Sequence, residues 1–372
     1  MDYRESNANT ELYRLIESLP KIELHRHLEG SLRLSTLAAI AQEFKIELPR
    51  YDPMRNPDFY YDIEDFRPYV QIMPDDEPAS SIFLSKFKTL RHFYRSPEVI
   101  DRVVYEAVAD AALENIVYME LRFTPIALAR EKNYPLPEVV DWVISAVQRG
   151  SADFDMDVRL IVSMNRNEPP ELGAQFLDIA IDRMADGIVG IDLAGDENRY
   201  PGRPFASIFQ KARDAGLAVT IHAGEWAGPE SVREAIDLLG ARRLGHGVRI
   251  IQDSFMVRLA RERQIAFEVC PTSNVQSGVS HSLSQHPLLD LYQVGLMTTI
   301  NTDDPSICGI NLTDELVATV EHLGFSLEDL KRNVVNAAHA SFLPDPDRSA
   351  LVQRIEEAFY MVDLQLESRK AS

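Results

Sequence analysis

A (β/α)8 barrel is the architecture this sequence predicts, and three observations carry it. Short apolar, β-prone runs alternate with amphipathic segments about eight times along the chain. Runs such as IVYMEL and LAVTI are nearly continuous in apolar residues, which suits parallel strands covered on both faces. The chain has 372 residues, more than the ~250 of a bare barrel, so there is also room for an insertion.

The candidate strands span 22–28, 116–123, 158–164, 188–193, 217–222, 243–246, 265–270 and 297–302. Their short length and β-branched content decide for strand over buried helix, which periodicity alone does not separate. The segments between them read as helices. In 228–240, Val232, Ala235, Ile236 and Leu239 fall on one face, Pro229 suits the first turn and Gly240 a C-terminal cap. Residues 49–81, rich in Pro, Asp and Tyr, follow the first strand–helix unit. A segment this long without strand signals is usually functional, often a lid. The expectation is a single domain over 1–372 with a helical lid insertion over about 49–95.

Composition sets further limits. Fifty-eight acidic against 38 basic residues give a formal net charge of −20, which repels nucleic-acid phosphates and anionic membranes. The acidic excess is spread along the chain and reads as a solvated surface. The two cysteines, Cys270 and Cys308, form no CxxC pair, so neither a disulfide framework nor a thiolate zinc site is expected. Residues 1–20 lack the apolar stretch of a signal peptide, and no run reaches the ~18 apolar residues of a membrane span. The expectation is a soluble, cytoplasmic protein; nothing in the pattern fixes an oligomeric state.

The chemistry gathers at the C-terminal strand ends, where a barrel keeps its active site. The first strand ends in Glu23-Leu-His25-Arg-His27-Leu-Glu29, and alternation puts His25 and His27 on one face. The fifth ends in His222-Ala-Gly224-Glu225, the sixth in Gly245-His246-Gly247 and the eighth in Thr302-Asp303-Asp304-Pro305. Each fragment alone has a structural reading: a core histidine, a tight turn, or a helix start favoured by the dipole. Together they place three imidazoles and a carboxylate at one face, a set suited to zinc with one position open to water. His246 and Glu225 are then left beside the metal for proton transfer.

The segments ELHRHLEGSLR, FLSKF, GIDLAGDE, IHAGE, AGPESVREAIDLLGARRLGHGV, CPTSN and NTDDP, in this order, resemble the adenosine deaminase family of metal-dependent amidohydrolase barrels over nearly the whole chain. The resemblance implies one Zn2+ per subunit on His25, His27, His222 and Asp303. It implies that Glu225 protonates purine N1, that His246 orients or deprotonates the water, and that Asp303 binds water as well as metal. Asp304 would pair with N7, the Gly195 amide with N3, and Phe83, Leu84 and Phe87 would cover the substrate, with His27 alongside. The H-x-E and P-C-x-x-C signature of the cysteine-ligated base deaminases is absent from the sequence.

The implied substrate is adenosine or 2′-deoxyadenosine. Glu29, however, stands where the family's adenosine enzymes usually carry an aspartate that meets the ribose 5′-hydroxyl. That departure keeps free adenine and 5′-modified adenosines such as aminodeoxyfutalosine open as alternatives. A phosphorylated substrate is disfavoured, because no compact Lys/Arg cluster accompanies the motifs. A silent binding barrel would have lost a ligand or Glu225, and none is missing.

Overall fold

The chain is described by a computed structural model over residues 10–48 and 62–371. Among these residues the strands are β1 (Lys21–His27), β2 (Ile116–Phe123), β3 (Asp157–Asn165), β4 (Ile188–Ala194), β5 (Ala218–Ala223), β6 (Arg243–His246), β7 (Ala266–Val269) and β8 (Met297–Ile300). They pair in parallel and in sequence order. The ring closes between β1 and the residues after β8: Asp303 N donates to His25 O at 2.9 Å and His27 N to Asp303 O at 2.8 Å. The last strand therefore delivers Asp303 directly against the two β1 histidines. The expected barrel is present, with strand ends shifted by one or two residues.

Helices cover the outside. The 229–239 segment forms, but only Pro229–Glu234 is α-helical; Ala235–Leu239 widens into a π turn that stops at Gly240, with φ 73°. The main apolar core lies between the strands and these helices. A smaller cluster seals the β1–β2 side, where Ile22, Leu24 and Tyr118 meet Leu343, Leu351, Ile355 and Phe359 near the C-terminus.

The inside of the barrel is charged. Glu120 and Arg122 on β2, Asp192 on β4, Arg243 on β6 and Glu268 on β7 are all buried. Arg122 reaches across to Glu268 at 2.6 Å, and Glu120 and Glu268 both receive Arg243. The strands that read as continuous apolar runs thus turn their few charged residues inward. Arg122 with Glu268 and Arg243 with Glu120 pair across the barrel, and Arg243 also meets Glu268 on the neighbouring strand.

Of the expected insertion, 49–61 lies outside the described residues. The rest is helical, with Ile63–Val70, Ser80–Leu90 and a 3-10 turn at Arg91–Phe93. Lys86 ties its parts together, donating to Pro68 O at 2.9 Å and Asp76 Oδ2 at 2.8 Å. The insertion is anchored to the short helix Pro305–Cys308 after β8, where Ile72 N donates to Ile307 O at 2.8 Å and Gln71 Nε2 to Ser306 O at 2.7 Å. No helix among the described residues is long and apolar enough to cross a membrane.

Candidate active site

His25 and His27 lie two residues apart at the end of β1, His222 is the penultimate residue of β5 and Asp303 follows β8. One donor atom from each of the four lies within 4.8 Å of every other. His25 Nε2 and His27 Nε2 are 3.2 and 3.4 Å from Asp303 Oδ1, and His27 Nε2 is 3.2 Å from His222 Nε2. Gly245 makes room for this, since a Cβ there would stand 2.8 Å from His25 Cε1.

The tautomers follow from what lies behind the rings. His25 Nδ1 is 2.8 Å from Glu268 Oε2, and His222 Nδ1 is 3.0 Å from Asp192 Oδ1. A carboxylate only accepts, so each Nδ1 carries the proton and each Nε2 turns a bare lone pair inward. Lone pairs facing one another and a carboxylate repel unless a cation sits among them. The donor set therefore fits a metal ion, held by nitrogen and oxygen. Cys270 also comes near His246 and Asp303, but burial pushes its thiol well above its ordinary range, so it offers no thiolate.

Two of these residues hold unusual backbone. His246 (φ 60°) and Asp303 (φ 63°) are left-handed, a conformation that costs a non-glycine residue about 1–3 kcal/mol and clusters at functional sites. Asp303 Oδ2 accepts from Ser273 Oγ at 2.6 Å. Burial raises its carboxyl, but the imidazoles of His25, His246 and His27 around it outweigh that and hold it well below the usual range.

Glu225 lies beside the cluster, its Oε2 at 3.7 Å from His246 Nε2, which is also 3.8 Å from Asp303 Oδ2. Burial, followed by the charges of Asp303 and Glu197, drives the Glu225 carboxyl well above its ordinary value. Burial likewise drives His246 and His27 well below the usual imidazole range. Asp304 is pushed up by burial and by Asp303; its carboxylate packs into a notch at Gly30, where a Cβ would meet Oδ1 at 1.9 Å.

A cavity of about 410 Å3 opens on this cluster. His27, Glu29, Gly195, His222, Glu225, His246, Asp303 and Asp304 line it, and Phe83, Leu84 and Phe87 face it from the Ser80–Leu90 helix. Gly195 has φ 101°, which only glycine adopts freely. His25 lies behind the lining, fully buried.

A model of the adenosine deaminase family matches residues 20–358. The chain belongs to the adenosine deaminase family. As a member of it, the protein is a hydrolytic deaminase. It is 39% identical to an adenosine deaminase of Klebsiella pneumoniae over 91% of this chain and 98% of that one. An adenine deaminase from Arthrobacter aurescens superimposes with a TM-score of 0.81 at 27% identity, covering 91% of this chain and 99% of that one. A zinc-bound amidohydrolase from Burkholderia ambifaria superimposes with 0.85 at 26%, covering 96% of each chain.

The sequence reading missed several parts of this deaminase's site. Glu268 and Asp192 orient two histidines, and Asn274 meets a third. Glu197 accepts from the amides of Gly224, Glu225, Trp226 and Ala227. An acid inside an apolar strand, as in IDLA and AFEV, was the available signal for the first two. The cavity is also lined by Lys88, Arg91 and Arg199, distant in sequence and brought together by the insertion and the β4 loop. These basic residues line one cavity without sharing a motif.

Proposed function

We propose that this deaminase converts adenosine and 2′-deoxyadenosine to inosine and 2′-deoxyinosine, releasing ammonia, with one zinc ion per subunit. The observation that carries this is a buried Glu225, its carboxyl pushed up by burial and neighbouring acids, in one cavity with the three-imidazole, one-carboxylate cluster. His25, His27, His222 and Asp303 would hold the ion. A zinc ion there acidifies a water towards pH ~7 and so supplies the nucleophile.

The chain's own groups do the rest. Glu225 gives its proton to N1, which drains electron density from C6. Asp304, with its raised carboxyl, offers an O–H to N7, and the Gly195 amide donates to N3. His246 holds the attacking oxygen against C6. Oxygen adds to C6, the hydroxyl proton passes to the amino group, the C6–N bond breaks and ammonia leaves. Phe83, Leu84 and Phe87, on the lid over about 49–95 of a single domain, would keep bulk water out.

Glu29 supports a nucleoside substrate. Its Oε1 accepts from Thr124 N at 2.7 Å, while its buried Oε2 has no hydrogen-bond partner among the described residues. That oxygen is free for the ribose 5′-hydroxyl. The decisive experiment is Glu225→Gln, followed by loss of the 6-aminopurine ultraviolet absorbance. Turnover should fall ~100- to 10,000-fold with metal content unchanged. Loss of metal, or retained turnover, would overturn the assignment.

One observation favours a second reading, an adenosine with an acidic group at its 5′ position. Lys88, Arg91 and Arg199 line the same cavity in a chain of net charge −20. Comparing adenosine with its 5′-carboxylate and 5′-phosphate forms separates the two.

A further inference from the structure

Behind His246 lies a buried chain of polar groups that the mechanism above does not use. His246 Nδ1 is 3.0 Å from Asn274 Nδ2, and Asn274 Oδ1 is 3.0 Å from His286 Nε2. On the far side, the backbone amide of Leu288 points at His286 Nδ1 at 3.1 Å. All three side chains are buried.

A backbone amide can only donate, and this fixes the whole chain. His286 Nδ1 accepts from Leu288, so it carries no proton. Burial alone holds the His286 ring down to about 3, so it is neutral and its single proton sits on Nε2. That N–H donates to Asn274 and selects the amide oxygen as the near end. The amide nitrogen is left facing His246 Nδ1. It too can only donate, so His246 Nδ1 is an acceptor, and the proton every imidazole keeps must be on Nε2. Nε2 is the atom turned towards Glu225 and Asp303.

We infer that Asn274 and His286 are positioning residues that lock His246 in its Nε2–H tautomer, so that His246 serves the attacking oxygen as a hydrogen-bond donor and not as a base. The water's proton then leaves to solvent before addition, and none is stored on His246. This rests on the deaminase reading of the site, but the tautomer is legible without turnover, so the two can fail separately.

The test is a nitrogen-15 spectrum of the histidine-labelled, metal-loaded protein, with His246 assigned by the signal missing in His246→Gln. The expected result is a protonated Nε2 and an unprotonated Nδ1 on His246. Asn274→Asp places an acceptor against Nδ1, and should move the proton there and lower kcat by at least ~100-fold, since an incorrect histidine tautomer can cost ~10,000-fold. His286→Gln keeps an N–H for Asn274 and should preserve the wild-type tautomer; His286→Leu should give a mixture. An Nδ1–H on wild-type His246 would overturn the inference, and that spectrum decides even if Asn274→Asp fails to fold. So would an Asn274→Asp protein with Nδ1–H and undiminished kcat, which would make His246 a base.

Discussion

Replacing Glu197 with glutamine tests how the loop carrying the acid is held. Glu197 Oε1 accepts from the amides of Glu225, Trp226 and Ala227 at 2.7, 2.6 and 2.9 Å, and Oε2 from Gly224 at 2.9 Å and from Ser231. Glutamine can keep its oxygen on the first three. Its NH2 then faces the Gly224 N–H, donor against donor, which removes one hydrogen bond to a charged acceptor. That loss is worth about 1.5–3 kcal/mol. With ~2.1 cal/mol/K of unfolding entropy per residue over a chain of this length, Tm should fall by about 2–4 °C. The kinetic effect is separate. Glu197 also raises the Glu225 carboxyl through its charge. On the proposed mechanism Glu225 acts only while protonated, so activity is lost as pH rises through its pKa. Without the Glu197 charge that limb should move to lower pH, and displacement of the loop should lower kcat at every pH. The assays are thermal unfolding and kcat/KM against pH on metal-loaded protein. An unchanged Tm together with an unmoved basic limb would refute the argument.

Three further outcomes are expected. Glu268→Gln takes the accepting charge from behind His25 Nδ1 and should weaken metal affinity by ~10- to 100-fold, measured by competition with a chelator. Glu29→Ala should raise KM for adenosine by ~5- to 150-fold, the roughly 1–3 kcal/mol cost of leaving a buried polar partner unpaired, and leave adenine unchanged. Glu315 is buried against Thr272, and burial pushes its carboxyl up to about 8. Its folded pKa lies above the unfolded ~4.3, so its contribution is complete below that value and is lost as pH rises through about 8. Tm of wild type relative to Glu315→Gln should therefore drop between pH ~5 and ~8.5; a constant difference would refute this.

The barrel and its cluster were legible because both depend on local pattern. Each strand is a short apolar run, and each ligand sits at the end of one, so His25, His27, His222 and Asp303 could be gathered without knowing any cross-barrel distance. The partners behind them could not. Glu268 and His25 are 243 residues apart, and only closure of the ring brings β7 to β1. The same holds for Arg91 and Arg199, which share a cavity but no motif. Within the insertion, expected as a helical lid, the helices Ile63–Val70 and Ser80–Leu90 bury Phe66, Val70 and Phe83, a pattern the polar and Pro-rich composition gave no way to place in advance.

The charged interior explains why the ligand rings stand as they do. Burying Arg122, Asp192 and Glu268 together is a poor way to stabilise a core, since the desolvation of such groups offsets most of their attraction. Arg122 is 2.6 Å from Glu268 and 3.5 Å from Asp192, the two carboxylates that set the tautomers of His25 and His222. It helps to hold both acids well below the usual carboxylate range, so each remains an acceptor for its Nδ1–H. One arginine on β2 thus keeps ligands on β1 and β5 turned inward through acids on β7 and β4. With Arg122 removed, two buried carboxylates would take up protons, and a protonated acid is free to donate to Nδ1 instead of accepting from it. The ligand lone pairs would then turn away from the metal position. The polar core costs stability, and what it provides is the orientation of the imidazoles.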